Sequence, residues 1–382
     1  MLQYQISDVV DASKLVTHTT IIGKLIPTSP EDHMKLVKLA YDFRRAVLYA
    51  TRMISKGIKV NDILKELRGM LNKAYGDSAY KVAKAIVEGC RFNGGEPQHV
   101  KIRRLFIVSE GEASRLGNRN VRIESTDLAR IKYPYDKSWI LLKVRFGKKY
   151  LPLIRELIEL IKQRKVSFGA RILFRDGKIC LHLSVPINLY LKYFSKGRAG
   201  GCLIAGFDLN SDRVNMVIID RYGKIRDIKT GWFPEVTSHG YPRSKARAKR
   251  LEALAKLLRY AYHHNVGTVV FENLLTIKQR RCTGNPTANR KITKFAKREL
   301  LQYGIVMSMK YGFKTLLINP KGTTHSSEHN YIMRKHGLDK HTASAYLIAL
   351  KGIESHMMIQ KAVIYRFCPY TTTYTHSLVR SL

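Results

Sequence analysis

Four residues have types and positions that could do chemistry: Asp208, Glu272, Asp339 and His341. Asp208 sits within the apolar run Leu203-Ile204-Ala205-Gly206-Phe207-Asp208-Leu209, and Glu272 closes a second run, Thr268-Val269-Val270-Phe271-Glu272. Folding buries such runs, and a buried carboxylate without a partner is strongly destabilising. A salt bridge would relieve it. So would a divalent cation, because Mg²⁺ selects hard oxygen ligands held on rigid elements. Two such ions, Mg²⁺ or Mn²⁺, about 4 Å apart can hold both the attacking and the leaving oxygen of a phosphodiester. Three or four acidic or imidazole ligands build that site, and these four residues would supply them.

The elements that must position them follow from the hydrophobic pattern. After Asp208 comes a short turn, then a second apolar run to Asp220 and a turn at Arg221-Tyr222-Gly223-Lys224, which predicts strand, turn, strand, turn. A basic helix is predicted over Ser244–Tyr262, leading through Gly267 into the Glu272 strand. A helix over Lys291–Tyr311 comes next, with Leu301, Ile305 and Met309 on one face, and then a strand over Lys314–Ile318. A loop, Asn319–Ser327, and an Ala-rich helix, Gly337–Gly352, complete the region. Positions two apart on a helix point about 200° apart, so Asp339 and His341 cannot serve one site interchangeably. Asp339 reaches it only from a loop or a cap, and its competing role is that of an N-cap. His341 is a ligand or general base, or else a solvated helix residue.

Charge indicates the partner. Lys and Arg number 68 against 29 Asp and Glu, a formal net charge of +39. That far exceeds the roughly 2–8 charges that keep a small domain soluble, and a polyanion such as nucleic acid neutralises it. Arg243, Lys245, Arg247, Lys249 and Arg250 form one basic group and Arg280, Arg281, Arg290, Lys291 and Lys294 a second; both are expected to bind phosphate backbone. With 45% hydrophobic residues the chain builds real cores and is not a basic tail. No apolar run approaches the roughly 18 residues of a membrane span, and the first residues lack a signal-peptide pattern. The expectation is a cytoplasmic, nucleoid-associated protein without a membrane partner. Its five cysteines are scattered with no C-x-x-C pair, so neither structural zinc nor a disulfide framework is expected.

The first half reads differently. A β-branched stretch, Leu15–Ile26, ends at Pro27, and Ser29-Pro30-Glu31-Asp32 has the cap, proline and acids of a helix start. Helical periodicity recurs over Met34–Leu48, Ile63–Leu71 and Tyr80–Val87, closing at Gly94-Gly95 and Pro97. Strand patterns dominate Val100–Pro186, interrupted by a helix over Lys149–Lys162, and Asp176-Gly177 predicts a tight hairpin. The predicted fold is an α+β N-terminal half, a β-barrel (1–30 and 96–194) with an inserted helical block (31–95). A linker, Ser195–Gly201, leads to an α/β domain (201–353) and a C-terminal tail (354–382).

These residues resemble the TnpB family, accessory nucleases of insertion sequences and relatives of the type V CRISPR effectors. Gly206-Phe207-Asp208-Leu209 resembles the first RuvC motif of that family and Val270-Phe271-Glu272-Asn273-Leu274 the second. Asn319-Pro320 with Thr323-Thr324 resembles the loop before its zinc ribbon, and Ala343–Leu350 its third-motif helix. Two departures stand out: Ser326-Ser327 replace the first ribbon cysteine with only a short loop before Leu338, and the third motif reads Asp339-Lys340-His341. The resemblance implies an RNase H-like (RuvC) domain over 201–353, preceded by a wedge-like barrel with a helical recognition insertion. It implies an RNA-guided DNA endonuclease that uses Mg²⁺, a guide RNA from the transposon end and a double-stranded DNA target. The alternatives are a cleavage-deficient RNA-guided DNA-binding protein and a transposase that acts on transposon ends without RNA.

Overall fold

The structure, a computed structural model, describes residues 9–92, 94–197, 199–274, 297–324 and 326–367. It is a mixed α/β protein with two compact units, Thr17–Phe194 and Ser195–Leu382 joined by residues 1–16. The first described strand, β1 (Val9–Asp11), belongs to the latter unit.

The Thr17–Phe194 unit opens with β2 (His18–Pro27), which leads into α1 (Pro30–Ser55). Ser29 caps that helix: its hydroxyl accepts from Asp32 N at 3.0 Å, and Pro30 occupies the first turn, where no amide proton is needed. Leu36, Leu39, Ala40, Phe43, Val47 and Ala50 recur at three- and four-residue steps and form its buried face. Helices α2 (Val60–Met70) and α3 (Lys73–Phe92) follow, then the remaining strands: β3 (Phe106–Ser109), β4 (Val121–Ile123), β5 (Leu128–Lys132), β6 (Trp139–Phe146), β7 (Gly169–Arg175) and β8 (Lys178–Pro186). Helix α4 (Leu151–Lys162) separates β6 from β7, and α5 (Ile187–Phe194) ends the unit. The sheet order is β3-β7-β8-β2-β6-β5-β4, antiparallel throughout. Among the described residues the end strands β3 and β4 do not pair as strands, but an antiparallel bridge between Gly111 and Asn118 and a bond from Arg119 N to Glu110 O (3.2 Å) join the chain after β3 to the chain before β4. Asp176 and Gly177 both take positive φ (49° and 69°), the backbone a two-residue hairpin between twisted strands requires.

The second unit is built on β9 (Leu203–Leu209), β10 (Arg213–Ile219) and β11 (Ile225–Trp232), an antiparallel meander. Helix α6 (Arg243–His263) crosses to β12 (Val266–Glu272), and α7 (Lys297–Lys310) crosses to β13 (Lys314–Ile318). Strand β12 runs parallel to both β9 and β13, and β1 pairs antiparallel on the outer edge, giving β1-β13-β12-β9-β10-β11. Helices α8 (Ser327–His336) and α9 (Lys340–Phe367) complete it. One face of the sheet carries Phe207, Leu209, Met216, Val269 and Phe271 against α6 and α7; the other carries Ile204, Val217, Val270 and Leu316 against α9. Strands covered on both faces must be apolar almost continuously, which explains the runs around the two acids.

Two expectations are corrected. The segment before Leu338 is a helix, α8, and not a short loop: the Ser326 hydroxyl accepts from His329 N at 3.0 Å, and Gly337 ends it in the left-handed region at φ 62°. The last helix continues to Phe367, through the expected boundary at 353, so part of the expected tail is helical.

Candidate active site

Asp208 and Glu272 stand at neighbouring strand ends on one face. Phe207 of β9 pairs with Phe271 of β12, so the next residue on each strand is an acid pointing to the α9 side. That face is apolar up to this point (Ile204, then Gly206, on β9; Val270 on β12), and the acids are its next row. Gly206 lets the helix close on the strand: a Cβ there would lie 2.2 Å from Ala345 O and 2.5 Å from Ala349 N. Gly352 makes a similar approach to Val270. From Gly206 to Asp208 the strand rises about 6.6 Å, and from Ala345 back to His341 the helix retreats one turn, about 6 Å. The two distances match, and His341 Nδ1 lies 3.1 Å from Asp208 Oδ2, where an Nδ1–H donates to the carboxylate.

The polar row extends further. Asn210 Nδ2 donates to Asp208 Oδ2 at 2.7 Å. Asn215 stands directly across from Asp208 on β10 and donates to Thr230 Oγ1 of β11 (3.0 Å) and Thr342 Oγ1 of α9 (3.3 Å), while its own buried Oδ1 finds no donor among the described residues. The Thr323 hydroxyl bonds Glu272 Oε1, and Lys351 Nζ, held 2.6 Å from the Lys321 carbonyl, contributes positive charge near Glu272.

Both acids are buried, Asp208 6% and Glu272 8% exposed. Desolvation, reinforced by the negative charge of Asp208, pushes the Glu272 carboxyl up to about 7, against the opposing pull of Thr323 and Lys351. Two carboxylates confined together with too little positive charge form a pocket that favours a cation.

Of the four expected ligands, the structure brings Asp208 and His341 into contact and sets Glu272 beside Asp208. Asp339 differs. Its Oδ1 accepts from His341 N (2.9 Å) and Thr342 N (3.3 Å), and its Oδ2 accepts from the Thr342 hydroxyl, so both oxygens cap α9. Hydrogen bonds to the charged form hold its carboxyl below the usual range despite partial burial. Among the described residues no three His, Cys, Asp or Glu side chains converge closely enough to chelate a metal. The donor types of Asp208, Glu272 and His341 nevertheless fit one divalent cation: two hard carboxylates and an imidazole.

Within the first basic group, Arg243 and Lys245 are exposed. Arg247 is ion-paired with Glu299, and Lys249 lies 2.8 Å from Glu235. Arg250, only 6% exposed, is a core residue of α6, which takes it off the surface expected to meet phosphate. Burial lowers its guanidinium from the usual range. The second group, Arg280, Arg281, Arg290, Lys291 and Lys294, lies outside the described residues, as does the start of the expected Lys291–Tyr311 helix. Sequence reading missed Asn215 and Lys351, and marked Thr323 only as part of a loop motif, without its bond to Glu272. Asn215 was detectable, because an amide inside the apolar run Val214–Ile219 needs a partner as Asp208 does.

Residues 18–195 match the family described as the SSO2105 N-terminal domain. The chain is 43% identical to the uncharacterized protein SSO2105 of Saccharolobus solfataricus, over 87% of its own length and 92% of that protein's. An uncharacterized protein of Aeropyrum pernix is 32% identical, covering 76% of this chain and 82% of its own. The chain belongs to the SSO2105 family. Among solved structures, Thermus thermophilus RuvC in complex with a Holliday junction substrate covers 42% of this chain and 96% of its own, with 16% identity and a TM-score of 0.29. A CRISPR-Cas12f ternary complex covers 82% and 80% respectively, with 13% identity and a TM-score of 0.29. No described helix is long and apolar enough to cross a membrane.

Proposed function

We propose that the Ser195–Leu382 unit is an RNase H-like, RuvC-type nuclease domain, and that the chain is an RNA-guided DNA endonuclease of the TnpB type. The carrying observation is the pair Asp208 and Glu272, buried side by side on parallel strand ends of a meander-plus-parallel sheet, with His341 of the covering helix on Asp208. The strand order and the motif resemblance support the same reading. Asp208, Glu272 and His341 would hold a divalent cation, Mg²⁺ or Mn²⁺. When bound, it would supply charge stabilisation for the scissile phosphate. Asn210, Thr323 and the His341 imidazole, each hydrogen-bonded to a carboxylate, orient the two acids. The exposed Arg243 and Lys245 would meet the backbone of guide or target; the buried Arg250 would not.

One observation favours a second reading. With both oxygens of Asp339 spent on the helix cap, the described residues give the site no third acid, and a second cation has fewer ligands than two-ion chemistry requires. A guided DNA-binding protein that cuts poorly follows from that deficit. One assay separates the two: purify the protein expressed with its native flanking DNA, keep the co-purified RNA, and challenge it with a randomised target-plasmid library in Mg²⁺. RNA-dependent cutting that Asp208→Ala abolishes is the expected result. RNA-dependent binding without cutting would establish the second reading, and RNase-insensitive action on transposon ends would overturn both.

A further inference from the structure

Beyond the carboxylates, the α9 face of the sheet has one more row. Helix α9 begins at Lys340 and covers the sheet as far as the row of Thr230, Asn215 and Asp208, where Thr342 of its first turn bonds Asn215. Two residues further along β10 and β11 lie Arg213 and Trp232, directly paired. Side chains two apart on a strand share a face, so both stand on the α9 face. On β11 the parity is independently visible: Ile228 packs with the α9 cluster, whereas Gly231 faces Ala253 of α6. Among the described residues, none of the α9 cluster reaches past the helix start to this row. Trp232 is 59% exposed, one of the two tryptophans in the chain.

The pair is preorganised. The Arg213 guanidinium lies 4.1 Å from the centroid of the Trp232 ring, and the buried Asp212 carboxylate holds it there, Nε to Oδ1 at 3.2 Å. A rigid indole with a cation stacked on it is the surface that an unpaired nucleobase accepts, since every base offers a flat π-face and stacking does not depend on sequence. Trp232 and Asp208 are two strands and two residues apart, a Cα separation of about 12 Å from standard sheet spacings. A strand stacked on the one passes within reach of the other.

We propose that Trp232, with Arg213 stacked on it, is a base-stacking platform that positions single-stranded DNA beside the Asp208–Glu272 site. The choice of DNA rests on the nuclease reading above; the platform itself accepts any unpaired base. Positive charge on Arg213 and the +39 net charge of the chain suit a polyanion. The test uses binding, without metal, so that cleavage plays no part. In a Trp139→Phe protein, Trp232 is the only tryptophan, and its fluorescence is followed during titration with a 20-mer of deoxythymidine, an equal-length abasic strand and a 20-mer of uridine. The expected result is quenching by the thymidine strand and not by the abasic one. In the otherwise native chain, Trp232→Ala weakens thymidine-strand binding about 5- to 100-fold, and Trp232→Tyr restores most of it. Thymidine-strand binding without quenching, and unchanged in Trp232→Ala, would overturn the platform while leaving the nuclease reading intact. Quenching by uridine alone would overturn the assignment to DNA, and no binding of any strand would overturn both proposals.

Discussion

Each unit buries a polar knot, and the two are built on opposite plans. In the Thr17–Phe194 unit the fully buried Asn118 is neutral and saturated. Its Oδ1 accepts from the Ser109 hydroxyl (2.6 Å) and from the amides of Asn120 and Val121 (3.0 Å each), while Nδ2 donates to the carbonyls of Ser109 and Phe168. In the other unit Asp208 and Glu272 put two acids under cover, with the Glu272 carboxyl pushed up to about 7 and an Asn215 amide oxygen nearby that meets no donor among the described residues. A knot that only folds the chain satisfies every group, because an unmet buried polar atom costs more than a made bond returns. A knot that keeps unbalanced charge has another use, and perturbed acids in such a setting mark functional sites.

Substitutions can break that contrast. The largest effect is expected for Asp208→Asn: cleavage falls by more than the 10- to 100-fold typical of a residue that merely supports a ligand, with thermal stability unchanged or raised. A plasmid-nicking time course beside a melting curve measures both. Asn118→Ala is expected to behave inversely, losing about 3 kcal/mol because two amides, one hydroxyl and two carbonyls lose their partner, a drop of roughly 6–12 °C in melting temperature. The specific activity of the surviving folded protein stays near wild type.

Glu272→Gln sharpens the comparison through pH. A carboxyl raised in the folded state leaves stability intact below its unfolded value and removes it as pH climbs through about 7. Without metal, Glu272→Gln is therefore expected to melt like wild type near pH 4 and a few degrees higher at pH 8. Melting curves across that range check it, and an equal offset at both ends would refute the assigned cause. The smallest effect separates cap from ligand at Asp339: Asp339→Ala costs about 1 kcal/mol, whereas Asp339→Asn, a good cap but a poorer metal ligand, retains both stability and cleavage. Loss of cleavage in Asp339→Asn would return Asp339 to the ligand set.

Much of this was legible in the sequence for specific reasons. Strands β9 and β12 are covered on both faces, so their apolar runs isolate Asp208 and Glu272 visibly. The Ser29-Pro30 helix start and the Asp176-Gly177 turn are local chemistry, readable without the fold. Strand β11 was not read, because as an edge strand it interleaves Arg226, Asp227 and Lys229 with its apolar residues. Helix α8 was missed for a related reason: only His329 and Ile332 are buried in a polar stretch. The Asp339 cap was one of two open readings, and only the bonds to His341 N and Thr342 N choose between them. Arg250 could not be separated from its exposed neighbours by composition, since burial of one basic residue in five is a property of helix phase against the core.

The most direct test of the charged knot is a calorimetric titration of Mn²⁺ into the purified protein at pH 8, wild type against Asp208→Asn and Glu272→Gln. The expected result is saturable binding in the wild type that each substitution removes or sharply weakens. Equal binding in all three proteins, or none in the wild type, would contradict the reading of these two buried acids as a cation site.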